Sequence, residues 1–263
     1  MPNSYLSHIE DNLWTSSKGP QGIISSIVKA EINRRYYSKT DSQIRKLNRE
    51  KFWGGKAGKN RHDFTKVRYN ESNHFLKFRS PLVKQISELC YLSKFKTICE
   101  IGTGNGMVLD YLSNQLSMVN DFIGIDLNKE QILENLQNYN NPKLKFVKSE
   151  IAEYVNKSCG NSTIFVAVGT FEFFTQNELE ELFQLISKKV KHAAIAISDT
   201  INIDLKNDFL SKPRGRLAYS HNYPYLMEKY NYHIFQKEVL RINPDIPFYD
   251  NVIMVGTNSK VQP

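Results

Sequence analysis

The chain has 263 residues, 40% of them hydrophobic, enough for one large domain or a domain with a cap. Three cysteines, Cys90, Cys99 and Cys159, stand far apart with no CxxC pair. They read as reduced, mostly buried thiols, with no structural metal expected. No apolar run approaches the ~18 residues of a membrane span, and the first residues lack a charged-then-apolar signal pattern. The expectation is a cytoplasmic protein with no membrane contact.

The net charge of +8 is unevenly placed. Residues 1–98 hold 19 Lys/Arg against 8 Asp/Glu, and the remainder hold 16 against 19. The early basic residues are scattered, as on solvated helix faces, although such a surface also attracts nucleic acid, anionic lipid or an anionic substrate.

Ile23, Ile24, Ile27, Val28 and Ile32 recur at three- and four-residue steps, which predicts an amphipathic helix over 20–37. A second short helix fits 42–51. Residues 52–59, with Phe52, Trp53, Gly54, Gly55 and Gly58, read as a turn-rich piece. Basic and aromatic residues interleave from Arg61 to Tyr69, a pattern that stacks bases or sugars, or that anchors a cap onto a main domain. Ser80-Pro81 predicts a helix start with Pro in the first turn, and Leu82, Val83, Ile86, Leu89, Cys90 and Leu92 form its apolar face.

From residue 96 strand and helix alternate, the pattern of a parallel sheet covered by helices on both faces. Predicted strands are 97–101, 122–126, 144–148, 164–168 and 193–197. Helices follow over 106–115, after an Asn128 cap with Ile132, Leu133 and Leu136, and after an Asn177 cap with Leu179, Leu182, Phe183, Leu185 and Ile186 facing inward. A polar loop over 200–220 leads to a helix starting around Asn222 and Pro224. Strands 233–241 and 252–257 close the chain as a reversed pair, so the sheet is mixed. The expected architecture is α/β: a Rossmann-like, seven-stranded mixed sheet over 76–263 with a helical N-terminal cap over 1–75.

The strand at 97–101 runs into Gly102, Gly104 and Gly106, glycines that let a backbone approach a ligand closely. A dinucleotide fingerprint needs G-x-G-x-x-G, but position 107 is Met and the spacing is G-x-G-x-G. Glu100 stands two residues before the first glycine. Asp126 ends the second strand, where a ribose diol would find a bidentate acceptor. Nothing resembles a GKS/GKT phosphate loop.

Glu100-Ile101-Gly102-Thr103-Gly104-Asn105-Gly106 resembles the E/D-x-G-x-G-x-G first motif of class I S-adenosylmethionine-dependent methyltransferases. Ile123 to Asn128 is similar to the second motif of that family, whose acid holds the ribose hydroxyls. Phe146 to Ile151 resembles the third, where an acid, here Glu150 in place of the commoner Asp, meets the adenine amino group. Val166 to Thr175 is similar to the fourth, the wall beside the methionine moiety. The resemblance covers about 80–260 and has all four motifs in order. It implies S-adenosylmethionine as cofactor, S-adenosylhomocysteine as product and no metal. The binding residues it implies are Glu100, Gly102, Thr103, Gly104, Asn105, Gly106, Asp126, Leu127, Ser149, Glu150, Ile151, Val168, Gly169 and Thr170. N-terminal extensions commonly cap the active site in this family, which makes Trp53, Tyr69 and Phe75 candidates for closing over the cofactor.

Three groups are candidate bases for an oxygen or nitrogen acceptor: His221 beyond the fifth strand, Asp199 at its end and Glu172 after the fourth strand. Each also has a structural reading, as a helix cap, a turn cap or a cofactor support. His62, His74, His192 and His233 show no paired spacing and read as surface or core residues. The fourth-strand end is neither D/N-P-P-Y/F nor cysteine-bearing, so a small-molecule O-methyltransferase acting on a sugar or secondary metabolite is the leading expectation. RNA or protein as acceptor is the second reading, and cofactor binding without transfer the third. Lys212, Arg214 and Arg216 fit either an anionic acceptor or a solvated loop.

Overall fold

The structure is a computed structural model and describes residues 43, 52–71, 74–214, 218–241 and 250–259. The helix expected over 20–37 lies outside the described residues. Of the stretch 42–51 only Gln43 lies within them, and it is helical.

Helices α1 (Lys56–Glu71) and α2 (His74–Ser93) precede the sheet. Then follow β1 (Thr97–Ile101), α3 (Met107–Gln115), β2 (Asp121–Asp126), α4 (Lys129–Asn138), β3 (Leu144–Lys148), α5 (Ile151–Lys157) and β4 (Ser162–Val168). After a single 3₁₀ turn (Phe171–Phe173) come α6 (Gln176–Lys189), β5 (His192–Ile201), β6 (Lys212–Arg214), β7 (Ala218–Ser220), α7 (Tyr223–Lys229), β8 (His233–Arg241) and β9 (Asp250–Thr257).

Seven strands form one sheet in the order β3-β2-β1-β4-β5-β9-β8. The first five are parallel, and β9 runs antiparallel to both β5 and β8. This is the mixed, Rossmann-like sheet expected from the sequence. The chain builds outward from β1 to β3 and then returns to place β4 on the other side of β1. The ends of β1 and β4 therefore bracket the switch point, where open α/β sheets bind ligands.

Period-two alternation sends each strand's apolar residues to two cores. Ile164, Val166, Ala194, Ala196, Ile253 and Val255 pack under α2, α3 and α4. Phe165, Ala167, Ile195, Ile197, Val252 and Met254 pack under α5, α6 and α7. Burial on both faces explains why β4 and β5 read as continuous apolar runs.

Several boundaries differ from the sequence reading. Helix α1 begins inside the stretch 52–59 expected to be turn-rich, and it carries no core-facing apolar stripe. Helix α2 starts at His74 with Pro81 in its interior, so a domain boundary at 75/76 falls in its first turn. Leu92, Leu133 and Leu136 are exposed. Strand β5 continues through Ser198, Asp199 and Thr200, polar residues paired with β9, and the expected loop over 200–220 contains the β6–β7 hairpin.

The N-cap of α6 is Thr175 rather than Asn177. Thr175 Oγ1 accepts from Glu178 N (3.3 Å), and Glu178 Oε2 accepts from Thr175 N (2.8 Å), a complete capping box. Substituting Thr175→Ala should cost about 1 kcal/mol, read as a lower urea midpoint at unchanged m-value; an unchanged midpoint would show that the box adds nothing to stability.

Candidate active site

The turn after β1 is shaped by crowding. Gly102, Gly104 and Gly106 have φ of 67°, 49° and 76°. A Cβ on Gly102 would lie 2.7 Å from the Thr170 side chain, and one on Gly104 would lie 2.8 Å from the His62 ring. Both the dihedral and the space therefore demand glycine there. Gly102 N and Thr103 N donate to Ile125 O at 2.8 and 3.0 Å, tying the turn to β2. Asn135 Nδ2 donates to Gly104 O (2.7 Å) and Tyr139 Oη to Asn105 O (2.8 Å), which fixes its far side.

Two acids sit beneath and beside this turn. Glu100 is 2% exposed and accepts a 2.6 Å hydrogen bond from Thr103 Oγ1. Burial pushes its carboxyl up to about 8, and the hydroxyl opposes that only in part. Asp126 ends β2 and is 5% exposed. Its Oδ2 accepts from Gly104 N and its Oδ1 from Asn128 N, both at 2.9 Å.

These residues open onto a cavity of about 400 Å³. Of the residues the motifs single out, Glu100, Gly102, Thr103, Gly104, Asn105, Asp126, Leu127, Ser149, Glu150, Ile151, Val168, Gly169 and Thr170 line it. Gly106 does not; it precedes α3 and packs against Tyr139 and Phe146. The third and fourth motifs arrive at the cavity because parallel pairing brings the ends of β3, β2, β1 and β4 to one edge of the sheet.

The three candidate bases separate. Glu172 lines the cavity and pairs with Arg214 of β6. His221 is fully buried behind the Phe171–Phe173 turn. Its Nε2 lies 3.1 Å from Phe171 O, which as a carbonyl requires Nε2–H, and its Nδ1 then accepts from Ser211 Oγ at 2.5 Å. Burial pulls this ring down to about 3, so it is neutral and structural in its setting. Asp199 points to the opposite face of β5 from the cavity-lining Ser198 and Thr200. There it accepts from Tyr223 Oη (2.8 Å) and Thr170 N (3.1 Å), and burial raises it to about 7. Its work is to hold the backbone after β4.

The cavity also has a side that the motifs did not disclose. Trp53, Arg61, His62, Phe64 and Thr65 enter from the α1 region and Arg79 from α2. His62, read from the sequence as a surface or core residue, is thus a cavity residue. The interleaved basic and aromatic residues were the signal for this side, and the helix supplies the geometry that the pattern lacks. Tyr69 and Phe75 have side chains outside the described residues. Ser198 accepts from Arg79 Nη1 (2.7 Å) and Asn251 Nδ2 (3.1 Å), a polar floor invisible in sequence because it joins three distant segments. Lys212 pairs with Asp208 at 2.7 Å, and Arg216 lies outside the described residues. Among the described residues no group of three or more His, Cys, Asp or Glu is placed to hold a metal ion, and no helix is long and apolar enough to cross a membrane.

Residues 98–193, which carry the glycine turn, both acids and the β4 wall, match the family described as methyltransferase domain. That match and the fold support a class I S-adenosylmethionine-dependent methyltransferase. No curated protein matches it in sequence. Solved structures share the fold of this methyltransferase at low identity. Human N-acetylserotonin methyltransferase in complex with SAM aligns at 10% identity and TM-score 0.54, over 98% of this chain and 68% of that one. Magnesium protoporphyrin IX methyltransferase from Synechocystis PCC 6803 with bound SAH aligns at 11% identity and TM-score 0.50, over 96% and 94%. The [4+2]-cyclase SpnF aligns at 10% identity and TM-score 0.51, over 67% and 79%, so the fold by itself does not dictate the chemistry.

The methyltransferase's own residues fit adenosylmethionine. The glycine turn leaves room at the backbone, Asp126 offers carboxylate oxygens beside it, and two buried polar atoms of cavity-lining residues, Trp53 Nε1 and His62 Nε2, have no hydrogen-bond partner among the described residues.

The two raised carboxyls fix a pH signature for the cofactor-free protein. Each binds a proton more tightly folded than unfolded, so its stabilising contribution is complete below its ordinary value near 4.5 (Glu100) or 3.8 (Asp199). That contribution is lost as pH rises through about 8 and about 7, respectively. Unfolding free energy should therefore fall from pH 5.5 to 8.5, and Glu100→Gln should flatten the slope. Parallel urea melts across that window test this; identical slopes in the two proteins would refute the buried, protonated Glu100.

Proposed function

We propose that this methyltransferase transfers methyl to an oxygen of a small molecule, such as a sugar or secondary metabolite, by in-line displacement. The observation that carries this reading is an aromatic contact that narrows the cleft. Trp53, just before α1, meets Phe173 of the wall after β4 with ring centroids 4.6 Å apart. The cavity behind them, about 400 Å³, is within the common size range of small-ligand sites, roughly 300–1,000 Å³. A polymeric acceptor would need an open groove at this point. The chemistry of the wall agrees: Val168 to Phe174 offers no D/N-P-P-Y/F and no cysteine.

Adenosylmethionine supplies an electrophilic methyl group on a sulfonium. The protein's part is alignment and water exclusion, and orientation alone is worth up to roughly 7–11 kcal/mol in well-ordered systems. The glycine turn and Asp126 hold one end of the cavity. Phe173, Phe174 and Phe64 border it with apolar surface, which favours a partly apolar acceptor and expels water. Glu172 is the candidate proton acceptor that faces the cavity, and Arg214 holds its carboxylate in place.

Labelled methyl from adenosylmethionine, incubated with the protein and cell extract, should enter small material resistant to nuclease and protease. Label lost on nuclease or protease treatment would overturn the small-molecule reading, and label in no fraction would favour cofactor binding without transfer. Once an acceptor is in hand, Glu172→Gln should lower kcat by roughly 10²–10⁴-fold while cofactor affinity stays unchanged; an unaltered kcat would remove Glu172 as the base.

A further inference from the structure

The side of the cavity built by the α1 region carries an unassigned group directly opposite the ribose acid. His62 projects from the second turn of α1, and its side chain is 12% exposed. Its Nε2 lies 3.8 Å from Asp126 Oδ2, too far for a hydrogen bond, and has no partner among the described residues. A buried imidazole nitrogen without a partner costs free energy, and so does a carboxylate oxygen left incompletely hydrogen-bonded. Asp126 Oδ2 accepts one bond, from Gly104 N, and retains capacity for another.

The ring is held in this position from several sides. Its edge lies over Gly104, where a Cβ would come within 2.8 Å of Nδ1. Trp53 packs beside it with centroids 5.7 Å apart. Asn105 Nδ2 reaches His62 O (3.4 Å), and Asn128 Nδ2 donates to Trp53 O (3.1 Å) and Gly55 O (2.9 Å). Lys59 and Lys66 both reach Glu134 of α4, at 2.8 and 3.7 Å. The segment bearing His62 is thus fastened to the two turns and the helix that frame the cofactor end of the cavity.

Two polar atoms 3.8 Å apart, each lacking one hydrogen bond, are matched by a single hydroxyl oxygen within about 2.8 Å of both. That oxygen would donate its proton to the carboxylate and accept from the imidazole N–H. A bare cation would be attracted by Asp126 but repelled by Nε2–H, and an anion would meet the reverse.

We infer that His62 is a cofactor ligand contributed by the cap, and that it shares one ribose hydroxyl of adenosylmethionine with Asp126. Cofactor recognition is then split between the Rossmann-like domain and helix α1, and the ligand itself joins the two. The inference does not depend on which acceptor receives the methyl group.

Calorimetric binding of S-adenosylhomocysteine and its 2′-deoxy and 3′-deoxy analogues tests this without any acceptor. The proteins compared are wild type, His62→Ala and His62→Phe, the last keeping a ring against Trp53 and Gly104 while removing the N–H. Both variants should bind S-adenosylhomocysteine about tenfold more weakly, the scale of one hydrogen bond. One deoxy analogue should lose affinity for wild type, and that loss should shrink by about threefold or more in the variants, the mark of a shared contact. Wild-type affinity in His62→Phe, or losses that simply multiply for both analogues, would overturn the assignment. If His62→Ala does not fold, His62→Phe carries the same comparison alone.

Discussion

The site depends on a carboxylate pinned between two backbone amides. Asp126 receives Gly104 N on one oxygen and Asn128 N on the other, each at 2.9 Å. Those two bonds join the end of β2 to the glycine turn before it and to the start of α4 after it. Turn and helix also meet through Asn135 Nδ2 on Gly104 O, and the turn meets β2 through Ile125 O. Pinned to one acid, they hold the crowded path that Gly102 and Gly104 make possible, and they leave the acid's remaining acceptor capacity facing the cavity.

A second layer of buried polar residues supports the wall after β4. Asp199 and Tyr223 hold Thr170 from one face of β5, while Ser198 gathers Arg79 and Asn251 on the other. Alternation along one strand thus divides positioning work between two sides of the sheet. The residues that look reactive in sequence, His221 and Asp199, are spent on this scaffolding. Of the three candidate bases only Glu172, inside the fourth motif, faces the cavity.

The sheet was legible because its signals are local. Apolar runs mark strands buried on both faces, and the Glu100–Gly106 spacing marks the turn. The motif residues line one cavity because parallel pairing places successive strand ends together. What was not legible depends on partners far away in the chain. Helix α1 lacks an apolar stripe because its inner face meets a ligand cleft, so periodicity could not find it. His62 has meaning only opposite Asp126, 64 positions on. The polar end of β5 looks like a loop until Arg79, Tyr223 and Asn251 are seen to satisfy it.

Asn128 performs two tasks with the two ends of one amide. Its Oδ1 accepts from Gln131 N (3.1 Å) and caps α4, while its Nδ2 grips the carbonyls of Trp53 and Gly55. An aspartate there would keep the first task and lose the second, because a carboxylate caps a helix equally well but has no proton to donate. Helix start and the attachment of the segment before α1 are therefore separable by a change of one atom type, with no loss of volume. The strength with which this enzyme grips that segment is adjustable independently of the fold that carries it.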